Sequence, residues 1–263
     1  MKKLFLFLAL AGILASCERN NEFAENNPLP LDKPAIMKIF CQSNPGECYQ
    51  EVKYEYNNNK LISERVFGFG ELYSEKTLEY NPDGQLKKEI YDITSLKQEK
   101  EYIYNNINQL EKIVYIRINY NPAGEETSRA QSEETYEYKN DLLVKKVETW
   151  GSWNIYEYDA NKRMITYTSY TTTGEKYHIT HYKYKGNLKV EEWAEVSSTG
   201  YIMYLHKFKY DNKNRLVKVL ENNKIIEENL YTGNKLIEKR IFYFGIDPCF
   251  AACCGNYILK YEY

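Results

Sequence analysis

Two tyrosines separated by one charged residue, then a short polar turn, a basic residue and a large apolar one, recur from Tyr54 to the last residue. The clearest copy is Tyr156-Glu157-Tyr158-Asp159-Ala160-Asn161-Lys162-Arg163-Met164-Ile165. Tyr-x-Tyr alternates with the period of a strand, which puts both rings on one face and the charge on the other. The pattern returns at Tyr54-Glu55-Tyr56, Leu78-Glu79-Tyr80, Tyr102-Ile103-Tyr104, Tyr136-Glu137-Tyr138, Tyr182-Lys183-Tyr184, Phe208-Lys209-Tyr210 and Tyr261-Glu262-Tyr263, with a degenerate copy at Leu230-Tyr231. Successive second rings fall 20 to 34 residues apart, a spacing that points to a repeat architecture.

Turn chemistry follows each copy. Asn81-Pro82-Asp83-Gly84 has Pro to fix φ and Asp-Gly to take positive φ. Asn57-Asn58-Asn59, Asn105-Asn106, Asp159-Ala160-Asn161 and Asp211-Asn212-Lys213-Asn214 are weaker signals of the same kind. From Tyr80 to Leu86, Tyr104 to Leu110, Tyr158 to Met164 and Tyr210 to Leu216 the ring-to-apolar distance is always six, so turn length is held. No helical stripe appears after residue 18, and 27 of 263 residues are Tyr. The expected fold is all-β: repeated antiparallel β-hairpins forming one long, coiled or closed meander sheet. Eight or nine hairpins make about 16 to 18 strands, too many for one flat open sheet. A propeller is the second choice, and the uneven gaps weigh against it. A transmembrane barrel needs an apolar outward face. Lys87-Lys88-Glu89 and Lys145-Lys146 put charge on both faces.

Tyr158-Asp159 with Arg163-Met164, and Tyr210-Asp211 with Arg215-Leu216, resemble the YD repeat, also called the RHS repeat. Tyr80-Asn81 with Gly84-Gln85-Leu86 keeps the Gly the family often shows before its basic residue. The other copies replace Asp by Asn or Lys. In large RHS toxins such repeats form a β-sheet that winds into a shell around a toxic domain. With about nine short copies the chain looks more like the small repeat-bearing lipoproteins of Gram-negative envelopes.

Residues 1–17 read as an export signal: Lys2 and Lys3, then the apolar run from Leu4 to Leu14, too short to span a bilayer. Leu14-Ala15-Ser16-Cys17 is similar to the lipobox of bacterial lipoproteins, which implies lipidation of Cys17, a membrane anchor, and an outer-membrane or other envelope location. Residues 18–35, rich in Asn, Glu and Pro, read as a flexible tether. Residues 36–263 form the repeat domain. The near balance of 35 Lys and Arg against 37 Asp and Glu over the whole chain argues against nucleic-acid binding.

Export exposes Cys41, Cys48, Cys249, Cys253 and Cys254 to oxidising conditions. Both cysteine-bearing links precede a Lys-Tyr-Glu-Tyr run, which predicts two local bridges: Cys41–Cys48, and Cys249 with Cys253 or Cys254. A four-cysteine metal site lacks the right spacing at the first pair. His178 and His181 are three apart on a strand and so face opposite sides. No metal, cofactor or nucleophile motif is present, and the chain is expected not to be an enzyme.

The tyrosine stripe is read as structural. Trp150, Trp153 and Trp193 are the candidate contact residues for a glycan or protein partner. Three functional classes follow: an envelope lipoprotein whose repeat sheet binds or scaffolds a partner, an accessory or immunity protein of interbacterial toxin systems, and a carboxylate-dependent hydrolase. Two carboxyls about 5 to 10 Å apart in a pocket would mark the third.

Overall fold

The computed structural model describes residues 33–41, 44–68, 70–93, 95–242 and 256–262. Cys17, Cys249, Cys253 and Cys254 lie outside the described residues, as do the side chains of Cys41 and Cys48. Eighteen strands make up the fold. They are β1 (Ile36–Cys41), β2 (Asn44–Asn57), β3 (Lys60–Gly68), β4 (Glu71–Tyr80), β5 (Leu86–Ile93), β6 (Leu96–Tyr104), β7 (Leu110–Tyr120), β8 (Glu126–Lys139) and β9 (Leu142–Val147). Then follow β10 (Trp153–Tyr158), β11 (Met164–Tyr170), β12 (Lys176–Lys185), β13 (Leu188–Val196), β14 (Ile202–Tyr210), β15 (Leu216–Glu221), β16 (Lys224–Thr232), β17 (Lys235–Phe242) and β18 (Asn256–Glu262).

Every strand pairs antiparallel with its neighbours in sequence, and β1 pairs with β18 from Ile36 opposite Glu262 to Cys41 opposite Tyr257. The meander therefore closes into a barrel, the closed form of the expected sheet and not a propeller. Closure removes the long free edges that an open sheet would leave. Because every described element belongs to this one sheet, a face is buried only where the sheet curls onto itself. Register identifies that face. Met37 lies opposite Val52, Val52 opposite Val66, and Ile39 opposite Leu259. Continued round the ring, the same side carries Ile113, Tyr136, Leu143, Ala194 and Val219, all buried, while Ile118 is buried on the other side.

One expectation needs correction. In the copies described in full, both rings point inward, but the inner face also carries ions. Glu64 pairs with Lys76 at 3.0 Å, Glu89 with Lys100 at 3.0 Å, and Glu134 with Lys146 at 3.1 Å. These residues are inward neighbours in the register, one or more steps past the rings. Each strand is longer than its motif, so the next inward position is free to be charged. Eighteen strands enclose a lumen too wide for side chains to fill, and most inward side chains are only half-buried. The outer face bears its own ion pairs, among them Arg65–Glu75, Lys145–Glu137, Lys183–Glu191 and Lys218–Glu228. It is not the apolar band that lipid demands.

The repeat motif is a building device. At each second ring from Tyr56 to Tyr231 the register slips by one residue, a β-bulge. The ring hydroxyl then donates to a main-chain carbonyl of the preceding hairpin: Tyr80 to Leu61 (2.7 Å), Tyr104 to Leu86 (2.8 Å), Tyr158 to Leu143 (2.8 Å), Tyr184 to Met164 (2.9 Å), Tyr210 to Lys189 (2.8 Å) and Tyr231 to Leu216 (3.0 Å). Asp159 Oδ1 accepts from the main-chain N–H of Asn161 and Arg163 at 2.8 and 3.0 Å, and Asp211 repeats this with Lys213 and Arg215. That is an Asx-type turn, closed by Lys162 or Asn214 at positive φ. Arg163 and Arg215 return to the aspartate, reach the Gly186 and Gly233 carbonyls, and lie over the rings of Tyr184 and Tyr231. The second ring, with the Asp and basic residue that follow it, thus locks one hairpin to the next.

Candidate functional site

The turns alternate between the two ends of the barrel. The locked tyrosines mark one end, and the chain enters there, because the Pro34 carbonyl accepts from Tyr56 OH (3.1 Å) and Ala35 N donates to Glu262 O (2.7 Å). The opposite end, the far rim, carries the β9–β10, β11–β12 and β13–β14 turns. Cys41 and the start of β2 lie at this end too.

Three turns of the far rim display aromatic and apolar side chains. Trp150, at the tip of β9–β10, is 86% exposed. Gly151 holds that turn at positive φ. Trp153 stacks on Tyr170 with ring centres 5.5 Å apart, and its ring lies across the β11–β12 turn, where a Cβ on Gly174 would come within 3.5 Å of it. Tyr177, 57% exposed, adjoins the β13–β14 turn through the bond from Ser197 N to its carbonyl. Tyr201, 68% exposed, and the exposed Ile202 and Met203 extend the row. Trp193 does not join it. It stands on the outer wall, stacked against His181 at 4.8 Å. The structure brings Trp150 and Trp153 together and leaves Trp193 apart. Tyr177 and Tyr201 are additions that a motif search overlooks, because neither lies in a Tyr-x-Tyr unit.

Just inside this rim the inner wall holds a connected polar network. Glu134, 4% exposed, accepts from Tyr115 OH and Tyr136 OH at 2.9 Å each. Lys146 Nζ lies 3.1 Å from Glu134 and 3.2 Å from Glu148. Glu148 accepts from Asn154 (2.9 Å), Asn154 from Ser169 (2.6 Å), and Ser169 meets His178 at 3.3 Å, with Tyr167 OH also 3.0 Å from that ring. Two carboxyls share one ammonium here. Burial alone would raise Glu134, but hydrogen bonds from Glu148, Tyr115 and Lys146 and the Lys146 charge outweigh it, and Glu134 sits below its ordinary 4.5. Burial and the neighbouring Glu134 push Glu148 above 4.5. Burial lowers His178 below its ordinary value. Its Nδ1 is buried without a hydrogen-bond partner. His181 points outward, as the spacing of the two histidines requires. Among the described residues no three His, Cys, Asp or Glu gather as a metal site.

No family model matches the chain, and no curated protein matches it. Among solved structures, the toxin complex TcdB2-TccC3-Cdc42 superposes on 81% of the chain at 10% identity with a TM-score of 0.29. The chain spans 14% of that protein's length. A porin-like protein from Bacteroides uniformis covers 71% of the chain and 93% of its own length at 10% identity and a TM-score of 0.39. A porin-like protein from Bacteroides vulgatus covers 87% and 98% at 10% identity and a TM-score of 0.31. Its own strand order and register make the chain a closed hairpin-repeat barrel with charged faces inside and out.

Proposed function

We propose that the chain is a non-enzymatic envelope lipoprotein, anchored through Cys17, whose barrel presents the far rim as a binding surface for a protein or glycan partner. The observation that carries this reading is the row Trp150, Tyr177, Tyr201, Ile202 and Met203, exposed at the end opposite the entering chain. Isolated exposed apolar residues are ordinary, whereas several gathered on neighbouring turns of one end point to a contact surface. Tyr and Trp suit it, since each presents a large apolar body with a polar tip. A tether entering at the tyrosine end would hold this rim away from the membrane.

The YD-repeat resemblance supports the same architecture and carries no toxin role with it. The Glu134–Glu148 pair is read as structural: both carboxyls are tied to the one Lys146 ammonium, at 3.1 and 3.2 Å, and accept from Tyr115, Tyr136 and Asn154. The test compares full-length protein, solubilised in detergent, with a Trp150→Ala/Tyr201→Ala variant of unchanged melting temperature. Binding to fractionated envelope proteins and polysaccharides should fall at least about tenfold, or about 1.4 kcal/mol. Equal binding by both proteins would sink the rim as the contact surface. Radiolabelled palmitate should enter the protein in cells and be lost in Cys17→Ser.

A further inference from the structure

The rim is not level. β8 runs seven residues further from its locked tyrosine than β10 does, starting at Glu126 where β10 starts at Trp153. β9 pairs with β8 only from Thr135 opposite Val147 down to Lys139 opposite Leu142. Above that point the chain turns away through residues 148–152. Among the described residues no strand pairs with β8 over 126–134 on this side.

The backbone groups of that edge have a definite direction. Tyr120 N donates to Ser95 O at 3.0 Å, so alternate residues of β7 from Tyr120 face β6. Tyr115, Arg117 and Asn119 therefore face β8, opposite Ser132, Ala130 and Ser128. By the same alternation the N–H and C=O groups of Arg129, Gln131 and Glu133 point to the open side, whereas the bulge at Thr127 ends the regular edge. Natural edges are commonly blunted by Lys, Pro or a bulge. Residues 126–134 contain neither Lys nor Pro, and their register against β7 has no slip from Glu134 to Ser128. A row of donors and acceptors at two-residue spacing is matched by a polypeptide backbone, not by a sugar or a lipid. At its lower end stand Trp150 and, on the inner side, Glu134 and Glu148 with only Lys146 between them.

Resting on the rim reading, we propose that the open edge of β8 takes an extended segment of a partner protein by antiparallel strand addition. Trp150 packs against the end of that segment. A basic side chain opposite Ser132 meets the excess charge of Glu134 and Glu148. Main-chain bonds supply the affinity, and the alternate side-chain positions supply the choice of sequence.

The probes are fluorescein-labelled octapeptide pools alternating Thr and Val with one Lys, matched pools with Glu in place of Lys, and pools N-methylated on alternate amides. Binding to full-length protein in detergent is read by anisotropy. The Lys pool binds and shifts Trp150 emission. N-methylation weakens it about tenfold or more, and Glu in place of Lys weakens it several-fold. Glu148→Gln narrows the gap between the Lys and Glu pools. Gln131→Pro removes one outward N–H without touching the ladder to β7, and it lowers binding about tenfold. If that variant does not fold, the N-methylated arm decides alone. Failure of every pool to bind, or equal binding of N-methylated peptide, overturns strand addition. The rim reading falls separately, only if the Trp150→Ala/Tyr201→Ala variant keeps its envelope partner.

Discussion

Two stretches of the same barrel wall solve the problem of burial in opposite ways. At the seam, where β18 meets β1, the inner face is dry: Met37, Ile39, Val52 and Leu259 form one buried cluster with Tyr54, Val66, Ile241 and Tyr261 packed on it. From β8 to β12 the same face adds to a ring cluster of Ile113, Tyr136 and Leu143 a polar chain, running from Glu134 through Lys146, Glu148, Asn154 and Ser169 to His178. Hairpin and tyrosine lock are shared by both. The seam joins strands far apart in sequence, so its closure must be won by non-directional apolar burial against a long loop entropy. The wall from β8 to β12 is continuous chain, already held by its turns, and can accommodate a polar network whose members satisfy one another.

The largest effect expected from that contrast is at the seam. Ile39→Ala should lower unfolding free energy by about 2–5 kcal/mol, through lost burial and the cavity left behind. Denaturant melts followed by circular dichroism would show it, and a loss no greater than at an outer residue would refute the seam's role. Next, Glu134→Gln leaves Lys146, Tyr115 and Tyr136 around a neutral amide and should destabilise by about 1–3 kcal/mol. Tyr158→Phe removes a single lock, leaves the Leu143 carbonyl without that donor, and should lose about 1 kcal/mol. A loss near zero would show that the locks are incidental.

Glu148→Gln should change stability at neutral pH by less than about 0.5 kcal/mol, since the group removed is the one whose charge is disfavoured there. Its signature is in the pH dependence. Between 4.5 and its raised value, folded Glu148 holds a proton that the unfolded chain has released, so stability falls as pH rises through that window. Glu148→Gln flattens this fall. Glu134 runs the other way, adding stability as pH climbs from its lowered value to 4.5. Smallest of all, Lys145→Ala breaks an outer pair with Glu137 and should move stability by less than about 1 kcal/mol.

Much of this architecture can be read in the residues. The fixed distance from Tyr80 to Leu86, Tyr104 to Leu110, Tyr158 to Met164 and Tyr210 to Leu216 is the five-residue turn, with the bulge one residue beyond, and it announces the hairpins directly. The uneven gaps carry meaning as well. The 34 residues from Tyr104 to Tyr138 are the tall β7–β8 hairpin, and the 20 from Tyr138 to Tyr158 are the short one beside it. Inner ions escaped notice because Lys76, Lys100 and Glu134 lie outside the motif, where only register decides which way they point. In the degenerate copy the residue sharing a face with Tyr231 is Asn229, buried and polar, and Leu230 points out. The rim was half legible: Trp150 and Trp153 could be picked out by type, but Tyr177 and Tyr201 gain their meaning from three turns meeting at one end. That the sheet coils or closes was legible from its strand count, but the choice between the two was not, because it is the sum of small rotations between neighbouring strands.

Six hairpins carry a phenol that fits the carbonyl of the one before, so one such unit is built to follow another. Tandem duplication of one coding segment would insert two strands and widen the ring by a fixed increment, leaving every existing joint intact. The bore of such a barrel is therefore a heritable variable, adjustable by copy number without redesign of a single contact.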